Sequence, residues 1–400
     1  MHNMRKTIGS FLAQQRKWEK LMQAAARLRP AASENDLATN RLREIAAFGS
    51  NPGALRMFTY HPPHVSAQSA LVVVLHACTQ TAASYDLGAG WSTLADRYGF
   101  ALLLPEQQRS NNPNGCFNWF QTGDIKRGHG EALSIRQMVD KMVSDHGIDR
   151  KRVFVTGLSA GGAMTSVMLA TYPDVFAGGA IIAGLPYGAA TNVQQAFESM
   201  FQCPPRSARA WGDLVRGASP YDGPWPRVSV WHGGADTTVI PSNAAEIIKQ
   251  WTDVHGLPST PALKDTVDGY PRQVWCNAAG EELIESYTIP GMAHGTPLAV
   301  GDANDQCGAA GAFLLDVSIS SSYHIAKFWG LADYPCAAKL QADKLAPISS
   351  GELPSVATKT RTEQPYLPGS GTASVPHSPP IDIRAVISNA LKAAGLMKTT

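Results

Sequence analysis

Val153-Phe154-Val155-Thr156-Gly157-Leu158-Ser159-Ala160-Gly161-Gly162 decides how this chain is read. An apolar, β-branched run leads into Gly-x-Ser-x-Gly. The stretch Ala163-Met164-Thr165-Ser166-Val167-Met168-Leu169-Ala170 follows with helix-compatible composition. A bare five-residue pattern is common in Gly/Ser-rich turns. Strand, sharp turn and helix together are the context in which it forms a nucleophile elbow. Gly157 and Gly161 are then required because a Cβ at either would collide with a neighbouring strand or helix. The serine oxygen is exposed at the turn, and the Ala160 amide, at the helix N-terminus, can face a developing oxyanion.

Working outward, strand-like and helix-like runs alternate. Ala70–Leu75, Ala101–Pro105, Arg152–Thr156, Gly179–Gly184, Val228–His232 and Ile284–Ile289 read as strands, several of them continuously apolar, as strands buried on both faces are. Helices are expected near Ser92–Tyr98, Glu131–Asp145, Ala160–Thr171 and Asn243–His255. This alternation implies an α/β fold with a mostly parallel, doubly wound sheet and helices on both faces. The body should span residues 51–340. An N-terminal helical extension (1–50) precedes it, with an amphipathic face over residues 11–28. A Pro/Ser/Thr/Gly-rich linker (345–380) and a C-terminal amphipathic helix (381–400) follow. Packing on the body is the default fate of such helices, and oligomer or surface contacts are the alternatives.

Composition narrows the function classes. The formal net charge is +2, and no basic stripe interleaved with aromatics points to nucleic acid. No apolar run is long enough to span a bilayer, and no standard signal peptide is evident. The six cysteines, Cys78, Cys116, Cys203, Cys276, Cys307 and Cys336, show no Cys-x-x-Cys or zinc-like spacing, so no metal is expected. Their even number fits three disulfides or six reduced core thiols, and leaves the compartment open.

A serine hydroxyl needs a base, usually a histidine held by a carboxylate. In α/β-hydrolases these follow the serine in the order acid, then histidine. Asp236, in the Gly-rich loop Gly233-Gly234-Ala235-Asp236 after an apolar strand, is the acid candidate; Asp213, Asp222, Asp253 and Asp268 lack that position. His294, between glycines after another apolar strand, is the base candidate. His255 and His324 read as structural or surface residues, and His232 as a loop-bonding one. Cys78, in the loop after an early strand, is expected to supply the second oxyanion amide beside Ala160, with His76 buttressing that loop.

The stretches Leu75-His76-Ala77-Cys78-Thr79-Gln80, Gly115-Cys116-Phe117-Asn118-Trp119-Phe120, Gly157–Gly162, His232–Val239 and Gly291–Pro297 together resemble the polyhydroxybutyrate depolymerase family of esterases, related to feruloyl and acetylxylan esterases. The resemblance covers roughly residues 70–329. It implies an α/β-hydrolase fold, a Ser159–His294–Asp236 triad without metal or organic cofactor, and a Cys78–Cys116 disulfide. It also implies substrate contacts from Trp119, Phe120 and Gln80, and hydrolysis of short-chain hydroxyalkanoate polymers or oligomers. An extracellular setting would follow from the resemblance, a cytoplasmic one from the missing signal peptide. Ala77 stands where the family usually has glycine; a positive φ there would cost alanine about 1 kcal/mol. The rival expectations are a plant cell-wall feruloyl or acetyl esterase, a general short-chain carboxylesterase, and a non-catalytic binding protein on the same scaffold. The terminal helices are the candidates for oligomer or granule-surface contact.

Overall fold

The apolar runs become the central strands of a ten-stranded sheet ordered β1-β2-β4-β3-β5-β6-β7-β10-β9-β8. These strands are β1 (Arg43–Ile45), β2 (Arg56–Tyr60), β3 (Leu71–Leu75), β4 (Ala101–Glu106), β5 (Val153–Leu158), β6 (Gly178–Ile182), β7 (Arg227–Gly233), β8 (Leu263–Val267), β9 (Tyr270–Cys276) and β10 (Glu282–Ile289). The computed structural model describes residues 41–333 except 64, 66 and 67, together with residues 16 and 20. They belong to the first of two units, Met1–Ala338 and Lys339–Thr400. The linker at 345–380, the helix at 381–400, Cys336 and the helix at 11–28 (Arg16 and Lys20 apart) lie outside the described residues.

β4, β3, β5, β6, β7 and β10 run parallel. Antiparallel strands flank them: β2 on β4 and β1 on β2 at one edge, β9 on β10 and β8 on β9 at the other. The sequence reading assigns residues 43–45 to a helical extension, but they pair as β1.

Period-two alternation explains the continuous apolar runs. Leu71, Val73 and Leu75 enter one core layer and Val72 and Val74 the other, and all five are buried. Each such side chain contributes roughly 1.5–3 kcal/mol when taken from water. One layer packs under α3 (Gly130–His146) and α4 (Ala160–Thr171). The other lies under α1 (Ala82–Ala89), α2 (Trp91–Tyr98) and α8 (Ser321–Phe328). The remaining helices are α5 (Val193–Phe201), α6 (Ala208–Arg216) and α7 (Ser242–His255), and β11 (Thr296–Leu298) pairs with β12 (Leu314–Asp316). Among the described residues no helix is long and apolar enough to cross a membrane.

β7 and β10 are locked by side chains as well as by their ladder. Trp231 stacks on its register partner Tyr287 with ring centroids 3.8 Å apart. Trp231 Nε1 donates to Ser229 Oγ, which donates to Glu285 on β10. Arg272 of β9 pairs with the same carboxylate at 2.9 Å. The loops leaving β7 and β10 therefore start from one rigid platform.

Candidate active site

The elbow is built from main-chain contacts. Ser159, between β5 and α4, has φ 58° and ψ −114°, a conformation that costs a non-glycine residue on the order of 1–3 kcal/mol. It is held there because its N–H donates to Ile182 O and its carbonyl accepts from Ala163 N–H. A Cβ on Gly157 would lie 2.5 Å from the Gly161 carbonyl, and one on Gly161 only 2.2 Å from Leu75 O. Both glycines are thus required by close backbone approach.

The loop after β7 brings Asp236 to the same carboxyl edge of the sheet, and the loop after β10 brings His294. Gly234 N–H donates to Ile289 O at 2.8 Å and Ala235 N–H to Met292 O at 2.9 Å, which pins the two loops together. Asp236 Oδ1 accepts from the Thr238 and Val239 amides, fixing the carboxylate. Asp236 Oδ2 accepts from His294 Nδ1 at 2.7 Å. Proton placement follows: with Nδ1–H committed to the carboxylate, Nε2 carries the lone pair. Burial alone would raise the Asp236 pKa, but the charge of His294 and the hydrogen bonds from His232 and His294 outweigh it. The carboxyl is held well below the usual range. Among the described residues no hydrogen bond links Ser159 Oγ to His294. That link commonly closes only when substrate is bound.

His232 does bond its own loop: Nε2 donates to Val239 O at 2.8 Å, and it lies 3.4 Å from Asp236 Oδ2. His324 pairs with Asp268, and His255 with the Pro226 carbonyl. None of these reaches Ser159.

Cys78 and Cys116 form a disulfide, while Cys203, Cys276 and Cys307 are free. Neither the three-disulfide nor the all-thiol expectation therefore describes the chain. Small, mostly buried thiols pack as core residues without needing partners. The N–H groups of Cys78 and Ala160 have no acceptor among the described residues, although both residues are buried. Ala77 does not have positive φ; the left-handed residue of that loop is Thr79, at φ 65°. Alanine therefore stands at that position without the cost a positive φ would bring, and the loop is set differently. His76 buttresses the loop, accepting the Gln107 amide at Nε2 and donating from Nδ1 to Ala77 O.

A cavity of about 180 Å³ opens beside Ser159, Ala160 and the disulfide. Trp119 and Phe120, edge-to-face at 5.4 Å, form one wall; Leu185, Phe197, Met200 and Val239 are among the other lining residues, with Asn112 and Asn114 at the polar side. Gln80 does not line it. Its Oε1 accepts the Ala77 amide, and it faces a separate polar recess of about 240 Å³ with Arg56, Glu106 and Arg109. Sequence reasoning passed over the α5 side of the cavity, which lacks chemically distinctive residues. It also passed over Glu131, a buried acid that accepts the Asn118 amide next to Trp119 in the chain. That residue had a signal: an acid sharing the apolar face of Ile135, Met138 and Met142 by helical spacing.

The parallel core, the glycine-bounded elbow and the Asp–His pair at the carboxyl edge define an α/β-hydrolase. The comparisons narrow the class. Residues 55–266 match the model of the esterase PHB depolymerase family. The chain is 53% identical over 291 residues to poly(3-hydroxyalkanoate) depolymerase C of Paucimonas lemoignei, covering 72% of this chain and 70% of that protein. It is 36% identical over 269 residues to an acetylxylan esterase of Coprinopsis cinerea, covering 66% and 71% respectively. The acetyl xylan esterase structure from Aspergillus awamori superposes with a TM-score of 0.62 at 26% identity, over 72% of this chain and 99% of that one. The chain belongs to the esterase PHB depolymerase family and is a carboxylic ester hydrolase.

Proposed function

We propose that this chain hydrolyses the ester bonds of short-chain polyhydroxyalkanoates or their oligomers through an acyl-enzyme on Ser159. The observation that carries the chemistry is the 2.7 Å His294–Asp236 hydrogen bond, set at the same sheet edge as the Ser159 elbow. Ser159 Oγ attacks the ester carbonyl while His294 Nε2 takes its proton. Asp236 orients the imidazole and stabilises its charged form. The Cys78 and Ala160 amides hold the oxyanion. His294 returns the proton to the leaving alcohol, and water then attacks the acyl group through the same base.

The substrate class rests on the identity to the Paucimonas lemoignei depolymerase and on a largely apolar cavity with an aromatic wall. The acetylxylan esterase relative supports a second reading, acetyl or feruloyl esters of plant cell walls. Ser159→Ala should abolish hydrolysis of p-nitrophenyl butyrate with the fold intact; retained activity would overturn the serine mechanism. Parallel rates of the parent on 3-hydroxybutyrate oligomers, acetylated xylan and methyl ferulate separate the substrates. Faster turnover of either cell-wall ester would displace the polyester reading.

A further inference from the structure

Two loops border the cavity, and a buried carboxylate joins them. Glu131, in the first turn of α3, is 1% exposed. Its Oε2 accepts the Asn118 N–H at 2.9 Å, immediately before Trp119. Its Oε1 accepts from Gln107 Nε2, which also donates to the Cys116 carbonyl at 3.1 Å. The Gln107 main-chain N–H donates to His76 Nε2 at 3.1 Å, and His76 Nδ1 donates to the Ala77 carbonyl, the peptide that carries the Cys78 amide. A continuous hydrogen-bonded path thus runs from the oxyanion loop to the aromatic wall.

Stability does not account for this residue. Among the described residues no cation pairs with Glu131. The nearest charge acting on it is Asp124, of the same sign, and burial pushes the carboxyl up to about 8. A buried carboxylate without a counter-ion is expensive, and an apolar residue would fill the same space at lower cost. The α3 N-terminus offsets only part of this, typically under about 1 kcal/mol. The Glu131 main chain is itself held closely: a Cβ on Gly53 would meet it at 2.5 Å. Both partners of the Glu131 carboxyl group are donors, so each of its oxygens is used as an acceptor.

We propose that Glu131 is a positioning residue, whose carboxyl group sets the Asn118–Trp119 wall against the Cys78 amide so that cleft and oxyanion donors are in register. This rests on the ester-hydrolysis reading above. Glu131→Gln keeps the shape but turns an amide donor toward one of two existing donors. The purified variant, with active sites counted by stoichiometric phosphonylation, should lose about tenfold or more in kcat on p-nitrophenyl butyrate. Its KM should stay within about twofold, as expected when a positioned group moves by a fraction of an ångström. A residue serving only the fold would lower the thermal midpoint and leave kcat per titrated site unchanged, and that result overturns the proposal. If Glu131→Gln does not fold, Gln107→Met cuts the same path at its midpoint; normal kcat per site there is equally fatal. Ser159→Ala reports separately. An inactive Ser159→Ala beside a fully active Glu131→Gln removes this proposal alone, whereas an active Ser159→Ala removes the reading beneath it.

Discussion

Replacing Cys78 and Cys116 together by serine tests how the edge of the cleft is held. The two residues are 38 apart in sequence. Closing a loop of that length removes on the order of 13 cal/mol/K from the unfolded chain, ~4 kcal/mol at 25 °C. Most of the effect lies in the unfolded state, because the folded loops keep other ties. Thr79 N–H still donates to Asn114 O at 2.8 Å, and Gln107 still bridges Cys116 O and Glu131. Urea unfolding followed by tryptophan fluorescence should therefore show the variant less stable by ~4 kcal/mol. Its m value should be steeper, since an uncrosslinked unfolded chain exposes more surface. Under folding conditions kcat should fall by less than the roughly hundredfold that a 1 Å displacement of a positioned group costs. A stability change under about 1 kcal/mol with an unchanged m value would refute the entropic account. A kcat loss well beyond hundredfold would show that the disulfide, not the hydrogen-bonded path, sets the loop geometry.

Asp236→Asn should lower kcat by roughly 10⁴, because the amide no longer enforces the proton on His294 Nδ1; steady-state kinetics on p-nitrophenyl butyrate checks it. The same variant carries a pH signature. The folded Asp236 pKa is depressed, so its ionised form stabilises the parent above the unfolded value of about 3.9, and that stability is lost as pH falls below it. The stability gap between parent and variant should close as pH drops below about 4 in acid unfolding; a constant gap would contradict the assignment. Gly161→Ala places a methyl 2.2 Å from Leu75 O, a main-chain atom that cannot swing away. It should destabilise by roughly 3 kcal/mol and displace the elbow, and an unchanged thermal midpoint would contradict the close approach.

The centre of the fold was legible because strands buried on both faces write themselves as unbroken apolar runs, as Leu71–Leu75 does. Asp236 and His294 were legible for a related reason: each follows such a strand in a glycine-containing loop, at the edge where sites form. The structure joins these two by a hydrogen bond. The flanking strands were not visible. β8 reads Leu-Lys-Asp-Thr-Val with much of its surface exposed, and β9 carries proline and arginine among its apolar residues. β9 pairs with β10 and β8 with β9, so cross-strand pairing rather than an apolar run fixes their place. Motif likeness assigns Gln80 to the substrate, whereas its Oε1 accepts the Ala77 amide and the residue lies outside the cavity lining. A sequence shows that a polar residue is near a site, not which way its amide turns.

The elbow at Ser159 is defined by peptide groups: Leu75 and His76 carbonyls against Gly161, Ile182 O against the Ser159 amide. The cavity beside it is bordered instead by replaceable side chains, among them Leu185, Phe197 and Met200. Reactivity and selectivity are therefore written in different parts of the chain. Library variation at those three positions can explore new acyl groups while the backbone that bends the serine outward stays as it is.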